Sequence, residues 1–183
     1  WTNATLTPLE RPPELAGKPA LTEAEAEAYE KQLLLLANRD RRDGPAAAGV
    51  GAYNEAWFDR GTKIVGGRRT SLIVDPPDGR IPPLTPEAQT RVDAERAYAS
   101  LHPLDGPENR PLPERCILWP TAGPPMLPGP YNNNYQIVQT PGYVMIVIEM
   151  IHDVRIIPLD GRPHLPSSIR QWLGDPRGRW EGN

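Results

Sequence analysis

The sequence predicts a small α+β protein: an antiparallel β-meander, two or three helices, and long proline-rich extended segments. Three observations carry this. Two segments open with helix-capping residues. Three apolar runs follow one another between 135 and 157. Proline takes 24 of the 183 positions, against ~5% in an average chain. Each proline fixes φ and removes a backbone donor, so extended and turn segments must lie against a few regular elements or against a partner.

Residues 1–20 carry Pro8, Pro12, Pro13 and Pro19 and read as an arm. Thr22 and Glu25 then form a capping-box pattern that opens a helix. Glu23, Glu25 and Glu27 suit its positive end, and Arg39, Arg41 and Arg42 its negative end. Gly44-Pro45 is expected to stop it. The run Leu33-Leu34-Leu35-Leu36 passes too far round the helix for one stripe, which predicts cover on more than one side. Residues 44–52, rich in Gly and Ala, read as a linker. Domain boundaries follow: 1–50 as N-terminal arm and helix, and 51–183 as a small α+β domain with a wrapped, proline-rich segment at 102–130.

Tyr53 to Arg60, with Trp57 and Phe58, reads as a short amphipathic anchor. Ile64-Val65 and Leu72-Ile73-Val74 flank Gly66-Gly67 and predict a β-hairpin. Thr85 caps a second helix, with Pro86 at its first position, running to Leu101. Tyr135–Thr140 and Tyr143–Ile151 predict two strands joined by Pro141-Gly142, with Gly142 at the positive-φ position of a type II turn. Val154–Ile157 predicts a third strand. Tyr143 to Ile148 is nearly continuous in apolar residues, so cover is expected on both faces. Ser167 or Ser168 is expected to cap a short last helix over Ile169–Leu173. Asp78-Gly79-Arg80 and Asp160-Gly161-Arg162 echo one another: each follows a strand and a proline, and precedes a cap by seven residues.

Apolar content of 38% and a mean hydropathy of −0.54 make a thin core. With 20 basic against 23 acidic residues, the chain lacks the basic footprint of a nucleic-acid binder. No run reaches the ~20 apolar residues of a membrane span. Cys116 is the only cysteine, which excludes an internal disulfide and reads as a small buried apolar residue.

No phosphate-cradling, dinucleotide, nucleophile-elbow or zinc-protease pattern occurs. The densest cluster of acid–base residues is Glu149, His152 and Asp153. On a strand, Glu149 and Asp153 share one face and His152 takes the other. A metal or hydrolytic site would need a bulge, with His164 joining them. Pairing of Glu149 and Asp153 with Arg155 or Arg170 is the structural expectation. Asn132-Asn133-Asn134 predicts a tight turn into the strand. With one Phe in the chain, the large anchors are mostly Trp and Tyr. The candidate partner contacts are therefore Trp1, Tyr29, Leu33, Leu36, Trp57, Phe58, Trp119, Tyr131, Trp172 and Trp180. Neither a cofactor nor a metal is expected.

The segments YNEAWFDRG (53–61), RTSLIVDPPDGRIP (69–82), YNNNYQI (131–137), EMIHD (149–153), IIPLDGRPHLP (156–166) and GRWEG (178–182) resemble a large, uncharacterised family of exported bacterial proteins from high-GC soil and freshwater lineages. Members usually continue past the Trp-Glu-Gly motif into a strand-rich half. The chain is therefore expected to be either short or a part of something longer. Its look is similar to membrane-extrinsic strap subunits, such as those on photosynthetic reaction-centre and light-harvesting assemblies. The resemblance implies a periplasmic or otherwise exported location, peripheral to a membrane. It also implies other protein subunits as partners. The expected function is a non-catalytic structural or interaction protein. The alternative is an exported hydrolase or carbohydrate-binding protein using Glu149, His152, Asp153 and His164.

Overall fold

The computed structural model describes residues 1–41, 54–123 and 126–182. Arg42, the Gly44-Pro45 stop, the 44–52 linker, Tyr53 and Pro124-Pro125 lie outside them. The fold is α+β, with two α-helices and a three-stranded antiparallel sheet. The chain divides into two compact units. One comprises Trp1–Ala4 with Arg110–Asn183, the other Thr5–Asn109.

In the second unit, α1 spans Glu23–Ala37 with Asn38 as its C-cap, so it ends before the Gly44-Pro45 stop expected for it. The capping box forms as the sequence predicts. Glu25 N–H donates to Thr22 Oγ1 at 3.4 Å, and Thr22 N–H to Glu25 Oε2 at 2.9 Å. At the far end, Arg41 donates to the Leu35 carbonyl (3.2 Å) and Arg60 to that of Ala37 (2.7 Å), satisfying acceptors that a helix end leaves open. Ala26 and Glu30 are the buried positions of α1. Ala26 packs with Leu21 and Ile64, against Leu6, Leu15 and Tyr29. Leu33 and Leu34 are only half-buried, and Leu35 and Leu36 are exposed. The expected cover on several sides is therefore not supplied by this chain's described residues.

The expected hairpin at 64–74 does not form. A turn exists, with Gly67 and Arg68 at positive φ and Arg68 N–H on the Val65 carbonyl. Its flanks pair instead with residues 5–21. Leu72, Ile73 and Thr70 donate to the carbonyls of Pro8, Leu9 and Pro19, while Leu6 and Leu21 donate to those of Lys63 and Arg68. The prolines explain the pattern, since a proline offers an acceptor but no donor. Arg11 is buried and ties the segment down, Nε to Thr70 Oγ1 and Nη1 to the Pro77 carbonyl, both at 2.9 Å.

The second helix, α2, spans Pro86–Leu101 with Thr85 Oγ1 accepting from Ala88 N–H, and none of its residues is buried. In the first unit, β1 (Tyr135–Gln139), β2 (Tyr143–Ile148) and β3 (Val154–Pro158) form the meander in that order. Gly142 does not take positive φ. Thr140 closes the turn through its own hydroxyl, which accepts from Tyr143 N–H at 3.1 Å. The last helix expected over Ile169–Leu173 is absent; two separate turns replace it, closed by Ile169 N–H on Pro166 and Gly174 N–H on Gln171. Five residues are too few to repay helix nucleation without packing. Gly79 and Gly161 both take positive φ (71° and 72°). Asp78 and Asp160 each accept from the arginine N–H two positions on. The two Asp-Gly-Arg turns thus match, and the echo stops at the cap.

The core-facing side of the sheet carries Tyr135, Ile146 and Ile148, packed with Ala122, Met150, Leu118, Trp119, Tyr131 and Leu173. The register aligns Val138 with Met145 and Ile156, and Val147 with Val154, on the opposite face. Those residues are half-buried or exposed. Cover on both faces of β2, expected from its apolar run, is therefore partial. Cys116 is exposed rather than buried, because it sits at φ 54° in a turn where its N–H reaches the Pro113 carbonyl.

Candidate functional site

The site with the most chemistry lies in the first unit, where β3 begins. β2 ends at Ile148 rather than continuing to Ile151. Ile151 (φ 51°) and His152 (φ 60°) both turn left-handed, a conformation costly for a branched residue. The turn returns the chain so that Ile148 N–H donates to the Asp153 carbonyl at 2.9 Å. Period-two alternation from there puts Asp153, Arg155 and Ile157 on the core-facing side of β3.

Arg155 is 9% exposed. Its Nη2 donates to the Ala122 carbonyl at 2.6 Å and its Nη1 to the Leu173 carbonyl at 3.3 Å. It therefore ties the 3-10 turn Pro120–Ala122 and the 169–174 turns to the sheet. Its Nε, and Oδ2 of Asp153, are buried without a hydrogen-bond partner among the described residues. Burial pushes the Asp153 carboxyl above its ordinary pKa. The pairing expected between Asp153 and Arg155 is not made; Nη1 and Nη2 of Arg155 go to carbonyls instead. Arg170 is exposed, and Glu149 Oε2 accepts instead from Asn134 N–H at 3.1 Å.

A cavity of about 350 Å³ lies beside these residues, lined by Ile117, Leu118, Asp153 to Ile156 and Gln171 to Gly174 with Pro176. It is apolar apart from Asp153, Arg155 and Gln171. Sequence reasoning singled out Asp153 and Trp172 but missed Arg155 as the residue that ties this corner together. The available signal was phase: an arginine two positions from Ile157 in an alternating strand sits with the core, and a buried arginine needs carbonyl partners.

The four residues of the alternative site do not come together. Glu149 is held by Asn134, and His152 is exposed on the turn. His164 Nδ1 lies 3.3 Å from Asp175 Oδ2, and Asp153 faces the cavity. Among the described residues, no group of three His, Cys, Asp or Glu could hold a metal ion.

The predicted partner contacts divide by unit. In the first, Trp1, Trp172 and Trp180 are exposed, whereas Trp119 and Tyr131 are half-buried against the core. Trp1 also pairs with the sheet, its ammonium donating to the Tyr135 carbonyl (3.0 Å) and Tyr135 N–H donating to its carbonyl (2.7 Å). In the second, Leu36 and Trp57 are exposed, and Tyr29 and Leu33 half-buried. Phe58 lies under two guanidinium groups, Arg60 at 4.2 Å and Arg39 at 5.3 Å from its ring centre. No described helix is long and apolar enough to cross a membrane. Comparison with models of known families, with curated proteins and with solved structures finds no match.

Proposed function

We propose that the chain is a non-catalytic interaction protein, a membrane-extrinsic subunit on the periplasmic side that holds a larger protein complex together. One observation carries the reading. Tyr143, Val154, Ile156 and Trp172 are exposed by 40%, 41%, 54% and 63%, on or beside a sheet face whose other members are apolar except Gln136. Contiguous exposed apolar surface of this kind marks contact sites. The exposed helix α2 supports it too, since isolated helices of this length are marginal in water. The resemblance described above supplies the setting, including the photosynthetic assemblies to which strap subunits belong. The separate surroundings of Glu149, His152, Asp153 and His164 favour the interaction reading over the hydrolase alternative.

The test is recovery of the native protein from its source cells, with and without a high-salt wash of the membranes. A stoichiometric membrane complex from which salt releases the chain is the expected result. A free, compact monomer in the soluble fraction would overturn the proposal.

A further inference from the structure

The two edges of the sheet differ in how far this chain closes them. On β1, Trp1 pairs with Tyr135. On β3, hydrogen-bond phase decides which groups face out. Ile148 N–H bonds the Asp153 carbonyl, and Leu159 N–H bonds that of Gly142. Both contacts fit the β2–β3 register. In an antiparallel ladder the bonded pairs alternate, so Arg155 and Ile157 bond β2, while Val154, Ile156 and Pro158 direct their backbone groups outward. The Pro158 carbonyl is already taken by Gly178 N–H at 3.0 Å. The outward groups of Val154 and Ile156 have no partner among the described residues. These two residues also line the cavity beside Arg155.

We propose that the outer edge of β3 at Val154 and Ile156 is a strand-addition site, which receives an extended, apolar segment of a partner protein. The occupant is argued from complementarity. An unpaired row of donors and acceptors is met by another backbone, and the adjoining cavity offers Leu118, Trp172 and Leu173 for an apolar side chain to pack against, with Asp153, Arg155 and Gln171 as its polar groups. Gly178 shows that the same edge already accepts a main-chain donor one step along. The incoming segment thus continues a pairing that the chain itself has begun. This proposal rests on the interaction reading above and specifies where and how the partner binds.

The experiment uses the full chain and a displayed library of short random peptides as probe. Ile156→Pro is the diagnostic variant, because it removes an outward N–H that the β2–β3 ladder does not use, and proline is tolerated on such edges. The expected result is enrichment of peptides with alternating apolar residues. A bound peptide slows amide exchange at Val154 and Ile156 by about tenfold or more. Ile156→Pro weakens binding by about tenfold or more. Should the variant unfold, the exchange measurement on the unaltered chain decides alone. Peptides that bind while both amides exchange as in the free chain would overturn strand addition. So would failure to enrich any peptide, or an edge closed by a second copy of this chain. In each of these cases, salt-dependent membrane association would still leave the interaction reading standing.

Discussion

Replacing Asn133 with alanine should unlock the turn that feeds β1. Asn133 is fully buried. Its Oδ1 accepts from Gly129 N–H at 2.8 Å, and its Nδ2 donates to the Gly129 carbonyl at 2.9 Å. One side chain thus pairs with both backbone groups of one residue. Each bond contributes about 0.5–1.5 kcal/mol net, and a buried group left unpaired costs about 1–3 kcal/mol. The two losses together come to roughly 2–4 kcal/mol. For a unit of this size that lowers the melting point by about 10–25 °C. The Asn133 carbonyl also accepts from Asn3 N–H and Thr2 Oγ1, both at 3.1 Å, so the pairing of Trp1 with Tyr135 should loosen as well. Urea unfolding followed by tryptophan fluorescence reads the global loss, and amide exchange at Gly129 reads the local one. Asn132→Gly is the control. Asn132 sits at φ 55°, where glycine fits, so that change should stay within about 0.5 kcal/mol. If Asn133→Ala cost no more than the control, the account of this turn would be wrong.

Glu30→Ala should cost about 1–3 kcal/mol by leaving Ile64 N–H, 3.0 Å from Oε1, without an acceptor. Hydrogen bonds from Lys63 and Ile64 hold the Glu30 carboxyl below its ordinary pKa, and Lys18, then Thr22, hold Glu25 down to about 2. The stability these groups contribute is therefore fully present above the ordinary carboxylate range and lost as pH falls below it towards the lowered values, about 2 for Glu25. An acid titration followed by circular dichroism should show α1 failing below about pH 4, and Glu30→Ala should flatten that dependence. Thr85→Ala should weaken α2 by about 0.5–2 kcal/mol. Because α2 buries nothing, the loss should read as faster exchange in its first turn with an unchanged unfolding midpoint.

Both helices were legible because their starts are written locally. Thr22 with Glu25, and Thr85 with Pro86, specify caps within four residues, and Leu101 was the last helical residue in sequence and structure alike. The meander was legible from alternation and spacing. What failed depended on distant partners. The 64–74 segment carries hairpin chemistry, yet the donor-poor segment at 5–21 offers it carbonyls that a local partner would otherwise supply. Gly142 looked necessary for its φ, but Thr140 closed the turn with a hydroxyl. Cys116 read as core by type, although a turn with no periodicity set its exposure. At the candidate site, Asp153 was visible as an acidic residue beside His152. The cavity was not, since it is built from 117–118 and 171–176, which no sequence period links to β3.

The interleaving of the two units puts a long stretch of chain between paired residues. Trp1–Ala4 belongs with Arg110–Asn183, and the whole of Thr5–Asn109 lies between them in the chain. Trp1 must meet β1 from 134 positions away. The inserted unit can form, and the β-turns can close the meander, on their own. Joining ends across so long a span costs roughly 2 kcal/mol more than across one a tenth as long. The stitch between Trp1 and Tyr135 therefore carries a large loop-closure cost, which its two backbone hydrogen bonds must offset.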